Sequence, residues 1–328
     1  MIKKGTGVGC MWYGIGNTGL PNPAAAFVEV HGDGSATVLA GVADIGQGSD
    51  TVMAQITAET LGVTFDKVVV RSADSGVTPE GGATSASRQT YISGNACYFA
   101  SLEARENIIL VAAQLLDCSE KDVVLADNKA SVKNNEEKSL AYVDIMMGLK
   151  ARGLLALGKG QYNPSTIALD GDMQGSPYET YAYATQIAEV EVNSETGEVK
   201  VTKIVCAHDV GKAIHKINVE GQIEGGVAMG IGFALTEKVD IKNGIVKNAD
   251  LNNYIIQTTQ DMPEIHSVIV EDPALSGPYG AKGVGEPALI PVAPAILNAI
   301  YDAVGVRITS LPATADVVLK AIKEKEGK

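Results

Sequence analysis

Strand-like and helix-like patterns alternate along this chain without the regular βαβ spacing of a doubly wound sheet, which points to an α+β fold of mixed sheets with packed helices. Ala24 to Val30 and Ala36 to Gly41 read as strands joined by the glycine-rich turn His31-Gly32-Asp33-Gly34. A helix is expected from about Ser49 to Leu61, a strand from Lys67 to Ala73, and a long helix from Tyr91 to Leu116. Asn128 to Lys138 reads as a charged loop, with a helix beginning at Ser139. From Leu154 to Tyr181 the pattern thins into Gly, Pro, Asn and Asp, as expected of a connection between two subdomains, 1–165 and 166–328. Beyond it, Tyr181 to Asn193 and Glu198 to His208 are expected as strands around Ser194-Glu195-Thr196-Gly197, followed by a helix from Asn218 to Leu235. That helix contains Gly221, Gly225, Gly226 and Gly230. Each costs roughly 1 kcal/mol relative to alanine, so their use is close packing, against another helix or a ligand.

Three segments carry chemistry. Gly283-Val284-Gly285-Glu286-Pro287 frames one carboxylate between glycines and a proline just ahead of an apolar helix. Glu286 is thereby presented as a base on a shaped loop, or else complements the positive end of the helix that follows. Asp44-Ile45-Gly46-Gln47-Gly48-Ser49-Asp50-Thr51 closes a strand and opens a helix, where free amides favour a polar or anionic ligand. Gly81-Gly82-Ala83-Thr84-Ser85-Ala86-Ser87-Arg88-Gln89-Thr90 feeds the long helix with small hydroxyl residues and one arginine, the chemistry of an anion cradle. Taken singly, either glycine loop is equally an ordinary connection.

In order, Gly46-Gln47-Gly48 with Gln55 and Ala58-Glu59, Thr84-Ser85-Ala86-Ser87, Gly221-Gln222 with Gly225-Gly226, Gly230-Ile231-Gly232, and Gly283-Val284-Gly285-Glu286-Pro287 resemble the molybdenum hydroxylases. That family includes xanthine dehydrogenase, aldehyde oxidoreductase and their bacterial relatives. The resemblance spans nearly the whole chain and matches the second half of the family's molybdopterin-binding region, so the first half is expected on another polypeptide. Split subunits of this kind are most similar to the medium molybdopterin subunit of nicotinate dehydrogenases.

The resemblance implies a subunit of a multisubunit enzyme that hydroxylates an N-heterocycle, nicotinate to 6-hydroxynicotinate, with oxygen derived from water. A purine, xanthine or aldehyde hydroxylase and a non-catalytic subunit completing its partner's pocket are the alternatives. The implied cofactor is molybdenum on a molybdopterin, in the cytosine dinucleotide form, with a sulfido or selenido ligand. A large molybdopterin subunit, an iron–sulfur subunit and a FAD subunit are the implied partners. By matching positions Glu286 is the general base. Gly46, Gln47 and Gly48 contact the pterin or the molybdenum ligands. Thr84, Ser85, Ala86, Ser87, Arg88 and Gln89 wrap the cofactor, with Gly285 beside the base. Trp12 and Tyr13 line the substrate funnel or are core aromatics. Lys282 meets a substrate carboxylate or is a solvated loop lysine. Met229 stands where the family often carries a glutamine beside the pterin, and a thioether cannot make the same hydrogen bonds.

Other classes are disfavoured. Gly14-Ile15-Gly16-Asn17-Thr18-Gly19 fits a dinucleotide fingerprint but runs into Leu20-Pro21-Asn22-Pro23 instead of a helix. The two glycine loops also suit an unrelated nucleotide-binding module, but neither is followed by a Walker-type lysine. Cys10, Cys97, Cys118 and Cys206 form no Cys-x-x-Cys pair and are expected as reduced core thiols that hold neither zinc nor an iron–sulfur cluster. His208, His215 and His266 lack metal-ligand spacing. The formal charge of −13 disfavours nucleic acid and anionic membranes. With no uninterrupted apolar run of ~18 residues and no secretory h-region, a cytoplasmic location is expected.

Overall fold

The computed structural model describes residues 1–327. In chain order the elements are β1 (Ile2–Gly14), β2 (Ala24–Val30), β3 (Ala36–Ala40), α1 (Ser49–Leu61), β4 (Val68–Ser72), α2 (Gly94–Leu115), β5 (Val123–Ala126), β6 (Lys129–Val132), β7 (Asn135–Ala141), α3 (Tyr142–Ala151) and β8 (Ala156–Tyr162). They continue with β9 (Tyr181–Asn193), β10 (Val199–Asp209), α4 (Lys216–Leu235), β11 (Ile241–Lys242), β12 (Ile245–Val246), β13 (Glu264–Val270), α5 (Val292–Val304) and α6 (Ala315–Glu326). The fold is α+β. It separates into a central unit, Gly14–Thr180 with Pro273–Gly283, and a terminal unit, Met1–Tyr13, Tyr181–Asp272 and the chain from Val284. Both units are discontinuous in sequence, whereas the sequence reading draws one boundary at 165/166.

In the central unit a four-stranded sheet has the order β4-β3-β2-β8, antiparallel except for the parallel β3–β4 pair. Alternation along β2 turns Ala26, Val28 and Val30 to one side, where α2 buries Ala96, Ala100, Ala104 and Ile108. β8 carries glycine where a core strand would carry valine. A Cβ at Gly158 or Gly160 would collide with the carbonyls of Ala100 or Ala96, so backbone meets backbone between strand and helix. For that reason β8 has little hydrophobic alternation and lies hidden in the stretch read as a connection. The supposed charged loop at Asn128 to Lys138 is also ordered, as β6 and β7 of the antiparallel β5-β6-β7 sheet. β7 is exposed over most of its length, so no burial pattern marks it, and the following helix starts at Tyr142 instead of Ser139.

The terminal unit repeats the device on a sheet of order β1-β9-β10-β13. β1 alternates glycines with exposed residues. A Cβ at Gly5, Gly7 or Gly9 would strike the backbone of Ala299, Ala295 or Pro291 at α5. The core lies between this sheet and α4, α5 and α6, with Val190, Ile204, Ile223, Val227, Ile296 and Ile300 in its middle. Glu286–Val304 is apolar and long enough to cross a membrane by composition alone. Its α-helical part is only Val292–Val304, and Val292, Ala295, Ile296, Ala299 and Ile300 are buried in this core.

The four glycines of α4 face two ways. A Cβ at Gly226 would come within 2.6 Å of Ala288 Cβ, and one at Gly230 within 2.7 Å of both Val292 methyls. Gly221 and Gly225 are exposed, with no atom within 4 Å of a built Cβ. The thiols are all free; Cys97 and Cys206 are buried, but Cys10 is exposed and Cys118 half-buried, so only two are core thiols.

Candidate functional site

In the central unit, the two loops read as ligand-binding converge on one residue, Ala43. Thr84 Oγ1 donates to the Ala43 carbonyl at 2.9 Å and accepts from its amide at 3.2 Å. Gln47 Nε2 donates to the same carbonyl at 3.0 Å and to Ser49 Oγ at 3.1 Å, while Gln47 Oε1 accepts from Ile45 N–H at 2.6 Å. Gln89 Nε2 donates to Thr84 Oγ1 at 2.9 Å, and Ser93 Oγ donates to Gln89 Oε1 at 2.5 Å. Gln47, Thr84 and Gln89 are therefore struts that brace one loop on the other. Gly46 sits at the exposed tip with φ +105°, a conformation closed to residues with a Cβ, and nothing lies within 4 Å of a Cβ built there.

Two expectations about anion binding change. The amides at the start of α1 are already engaged: Asp44 Oδ1 accepts from Gly46 N–H at 2.8 Å and Gly48 N–H at 3.4 Å, and Oδ2 from Asp50 N–H at 3.2 Å. Partial desolvation works against the Asp44 carboxylate, but the backbone donors outweigh it and hold its pKa below the ordinary value. The chain thus supplies its own anion to this helix N-terminus. Arg88 is not offered to a ligand either, being only 1% exposed. Its guanidinium donates to the carbonyls of Gly81, Ala83 at 3.2 Å, Asn22 at 3.3 Å and Pro23 at 3.0 Å, and burial lowers its pKa. Its observed role is to fix the glycine loop, which no sequence signal separates from anion binding.

Ser85 is exposed, and Ala86 and Ser87 both have positive φ, 51° each. The chain then winds through a π-turn, Gln89–Ser93, into α2. Such turns are rare and often mark functional sites. Gly283 closes on this loop, since a Cβ there would overlap the Ser87 carbonyl oxygen. The preceding Lys282 is 7% exposed, which overturns its reading as a solvated lysine.

The remaining site residues belong to the terminal unit. Glu286 is half-buried at the first position of a 3₁₀ turn, Glu286–Ala288, entered through Gly285. Pro287 and Ala288 are buried, with Ala288 against Gly226 of α4. α5 begins six residues later behind Pro291, without an acidic residue in its first turn, so Glu286 is not placed to complement that helix. Trp12 is 68% exposed and stacks on Tyr181 with ring centroids 5.0 Å apart; it is not a core aromatic. Tyr13 is half-buried, and Met229 is exposed on α4. Sequence reasoning missed His215, whose Nδ1 accepts from Asn218 N–H at 3.2 Å to cap α4, and the buried pair Gln186 and His208. Among the described residues no group of three or more His, Cys, Asp and Glu is arranged to hold a metal ion.

One α+β unit thus holds a pair of small-residue loops braced on each other, and the other unit a carboxylate-bearing turn. Residues 1–263 match the family model of the molybdopterin cofactor-binding domain. The chain is 34% identical over 321 residues to the putative xanthine dehydrogenase molybdenum-binding subunit of Escherichia coli K12, a match covering 95% of this chain and 41% of that one. It is 32% identical over 302 residues to the nicotine 6-hydroxylase large subunit of Paenarthrobacter nicotinovorans, covering 91% and 36%. Among solved structures, quinoline 2-oxidoreductase from Pseudomonas putida 86 superimposes with a TM-score of 0.88 at 27% identity, covering 98% of this chain and 42% of that one. The aldehyde oxidoreductase of Desulfovibrio desulfuricans gives 0.82 at 32% identity, covering 98% and 32%. The chain belongs to the molybdopterin cofactor-binding domain family of the molybdenum hydroxylases. It spans well under half the length of these relatives.

Proposed function

We propose that this chain is the part of a molybdenum hydroxylase that holds one side of the molybdopterin and carries the general base, and that the assembled enzyme hydroxylates an N-heteroaromatic substrate. The observation that carries this reading is the Glu286 turn: a half-buried carboxylate held by a buried Pro287-Ala288 step and too far ahead of α5 to serve as its cap. The loops fit a pterin. Gly46 leaves room for close approach, and the exposed Ser85 hydroxyl is a donor on a backbone that the Arg88 and Thr84 bonds keep rigid. Arg88 is spent on that rigidity, so cofactor phosphates are met by amides and hydroxyls instead of by its charge.

When bound, the molybdenum cofactor supplies the two-electron oxidation and activates water oxygen. Glu286 would accept the proton given up by the water-derived nucleophile, and its turn would keep the carboxylate oriented toward it. The names of two relatives, a nicotine 6-hydroxylase and a quinoline 2-oxidoreductase, support a nitrogen heterocycle, and nicotinate going to 6-hydroxynicotinate is the first reaction to test. The aldehyde oxidoreductases, at comparable identity, support aldehyde oxidation as the second reading. The remaining molybdopterin-binding portion, the iron–sulfur clusters and FAD come from other chains in this proposal, in a cytoplasmic complex with sulfur or selenium on the metal.

The test is purification from the native cell with partner identification by mass spectrometry and analysis for Mo, Fe and Se, beside a Glu286→Gln variant. Molybdenum in both preparations, with turnover of nicotinate, quinoline, xanthine or benzaldehyde lost only in the variant, is expected. A metal-free chain without partners, or full turnover by Glu286→Gln, refutes the proposal.

A further inference from the structure

Two polar side chains are fully buried on neighbouring strands of the terminal unit, Gln186 on β9 and His208 on β10, each 0% exposed. Gln186 pairs across the ladder with Cys206 and His208 with Ala184, so the two are diagonal neighbours on the helix-covered face. Gln186 Nε2 lies 2.9 Å from His208 Nε2 and 2.9 Å from the Ala288 carbonyl oxygen. An amide nitrogen has two hydrogens, and this arrangement uses one for each acceptor. The imidazole must then accept at Nε2 and carry its proton on Nδ1, an assignment made from the network. Burial agrees with a neutral ring, pushing the His208 pKa down to about 4.

Packing does not account for this pair. Gln186 Oε1 and His208 Nδ1 are both buried without a hydrogen-bond partner, so each carries an uncompensated desolvation cost. Two apolar side chains of similar volume would fill the same space without it. What the polar pair provides is one directed hydrogen bond, and its acceptor ends the three-residue turn that begins at Glu286. That turn has a single internal bond, Leu289 N–H to the Glu286 carbonyl at 3.0 Å. On its other side, Ala288 meets the bare backbone of Gly226.

We propose that Gln186, oriented by His208, is a positioning residue that anchors the Glu286 turn through the Ala288 carbonyl; its catalytic meaning rests on Glu286 being the base. His208 locks the amide so that its second hydrogen faces Ala288 and not the reverse. Gly226 lets the turn approach closely enough to be held.

The test pairs Gln186→Met, which keeps volume and removes the donor, with the double variant Gln186→Met/His208→Leu, which also removes both unpartnered atoms. In this chain, amide hydrogen exchange read by mass spectrometry is expected to quicken about tenfold in the peptide spanning 285–292. Exchange in α4 and β10 peptides stays unchanged, and the melting temperature of the double variant equals or exceeds that of the native chain. In the complex reassembled with its native partners, kcat falls about tenfold or more at unchanged KM, as for a misplaced reacting group. Unchanged exchange at 285–292, or faster exchange spread over the whole unit, overturns the anchoring role. A loosened turn with native kcat overturns the positioning role. Native turnover by Glu286→Gln alongside a loosened Gln186→Met turn leaves the anchor standing and removes the base.

Discussion

The two glycine pairs of α4 should respond to alanine with opposite sign. Gly221 and Gly225 have no neighbour within 4 Å of a built Cβ, so alanine there meets open space and only the helix-propensity difference acts. At roughly 1 kcal/mol per site, the Gly221→Ala/Gly225→Ala chain should gain about 1–2 kcal/mol. Gly226 and Gly230 receive the same propensity gain, but their new methyls arrive 2.6 Å from Ala288 Cβ and 2.7 Å from the Val292 methyls. Overpacking of a close contact costs about 1–3 kcal/mol per site, and at Gly226 the obstacle includes Ala288 backbone, which cannot swing aside as a side-chain end can. The Gly226→Ala/Gly230→Ala chain should therefore lie between break-even and a loss of about 5 kcal/mol, some 2–6 kcal/mol below its partner variant. Urea unfolding followed by far-ultraviolet circular dichroism measures this directly, provided the slopes agree. Equal shifts for the two variants, or a more stable Gly226/Gly230 variant, would refute the assignment of one pair to packing and the other to an open face.

Replacing Arg88 by Met should cost at least about 3 kcal/mol, because the carbonyls of Gly81, Ala83, Asn22 and Pro23 lose a charged donor together; a melting temperature within a degree of native would contradict this. The buried His208 makes stability fall with acid. Its pKa of about 4 lies below the unfolded value of 6.5, so the unfolded chain binds the extra proton first, and stability present above pH 6.5 is lost as pH falls toward 4. The loss approaches about 3 kcal/mol, and a His208→Leu chain should lack this component in urea titrations between pH 4 and 7.

What could be read in advance follows from how each element is stabilised. α1 has the expected ends because glycines stand at both caps, Gly48 and Gly62. β9 alternates buried and exposed residues over its whole length, and its limits, Tyr181–Asn193, coincide with expectation. β1 and β8 escaped notice because glycine replaces the apolar residues that would have shown the period, and β7 because it faces outward on both sides. At the site, sequence located the loops but not the direction of their side chains. Arg88 turns inward to carbonyls, Asp44 fills the helix start, and the Gln186–Ala288 bond joins residues a hundred positions apart. No spacing rule reports a bond of that range.

The bare glycine edge of β1 also bears on how the molecule comes into being on the ribosome. Gly5, Gly7 and Gly9 are translated long before the helix they rest on, which is not complete until Val304. The hydrogen-bonding neighbour of β1, β9, begins only at Tyr181. Throughout translation of the central unit the first strand has neither ladder nor helix to join, and closing so long a loop slows the step that finally recruits it. The terminal unit therefore cannot close until the central unit has been translated. Until then Val8, Trp12 and the unpaired strand edge around them are exposed to chaperones and to aggregation alike.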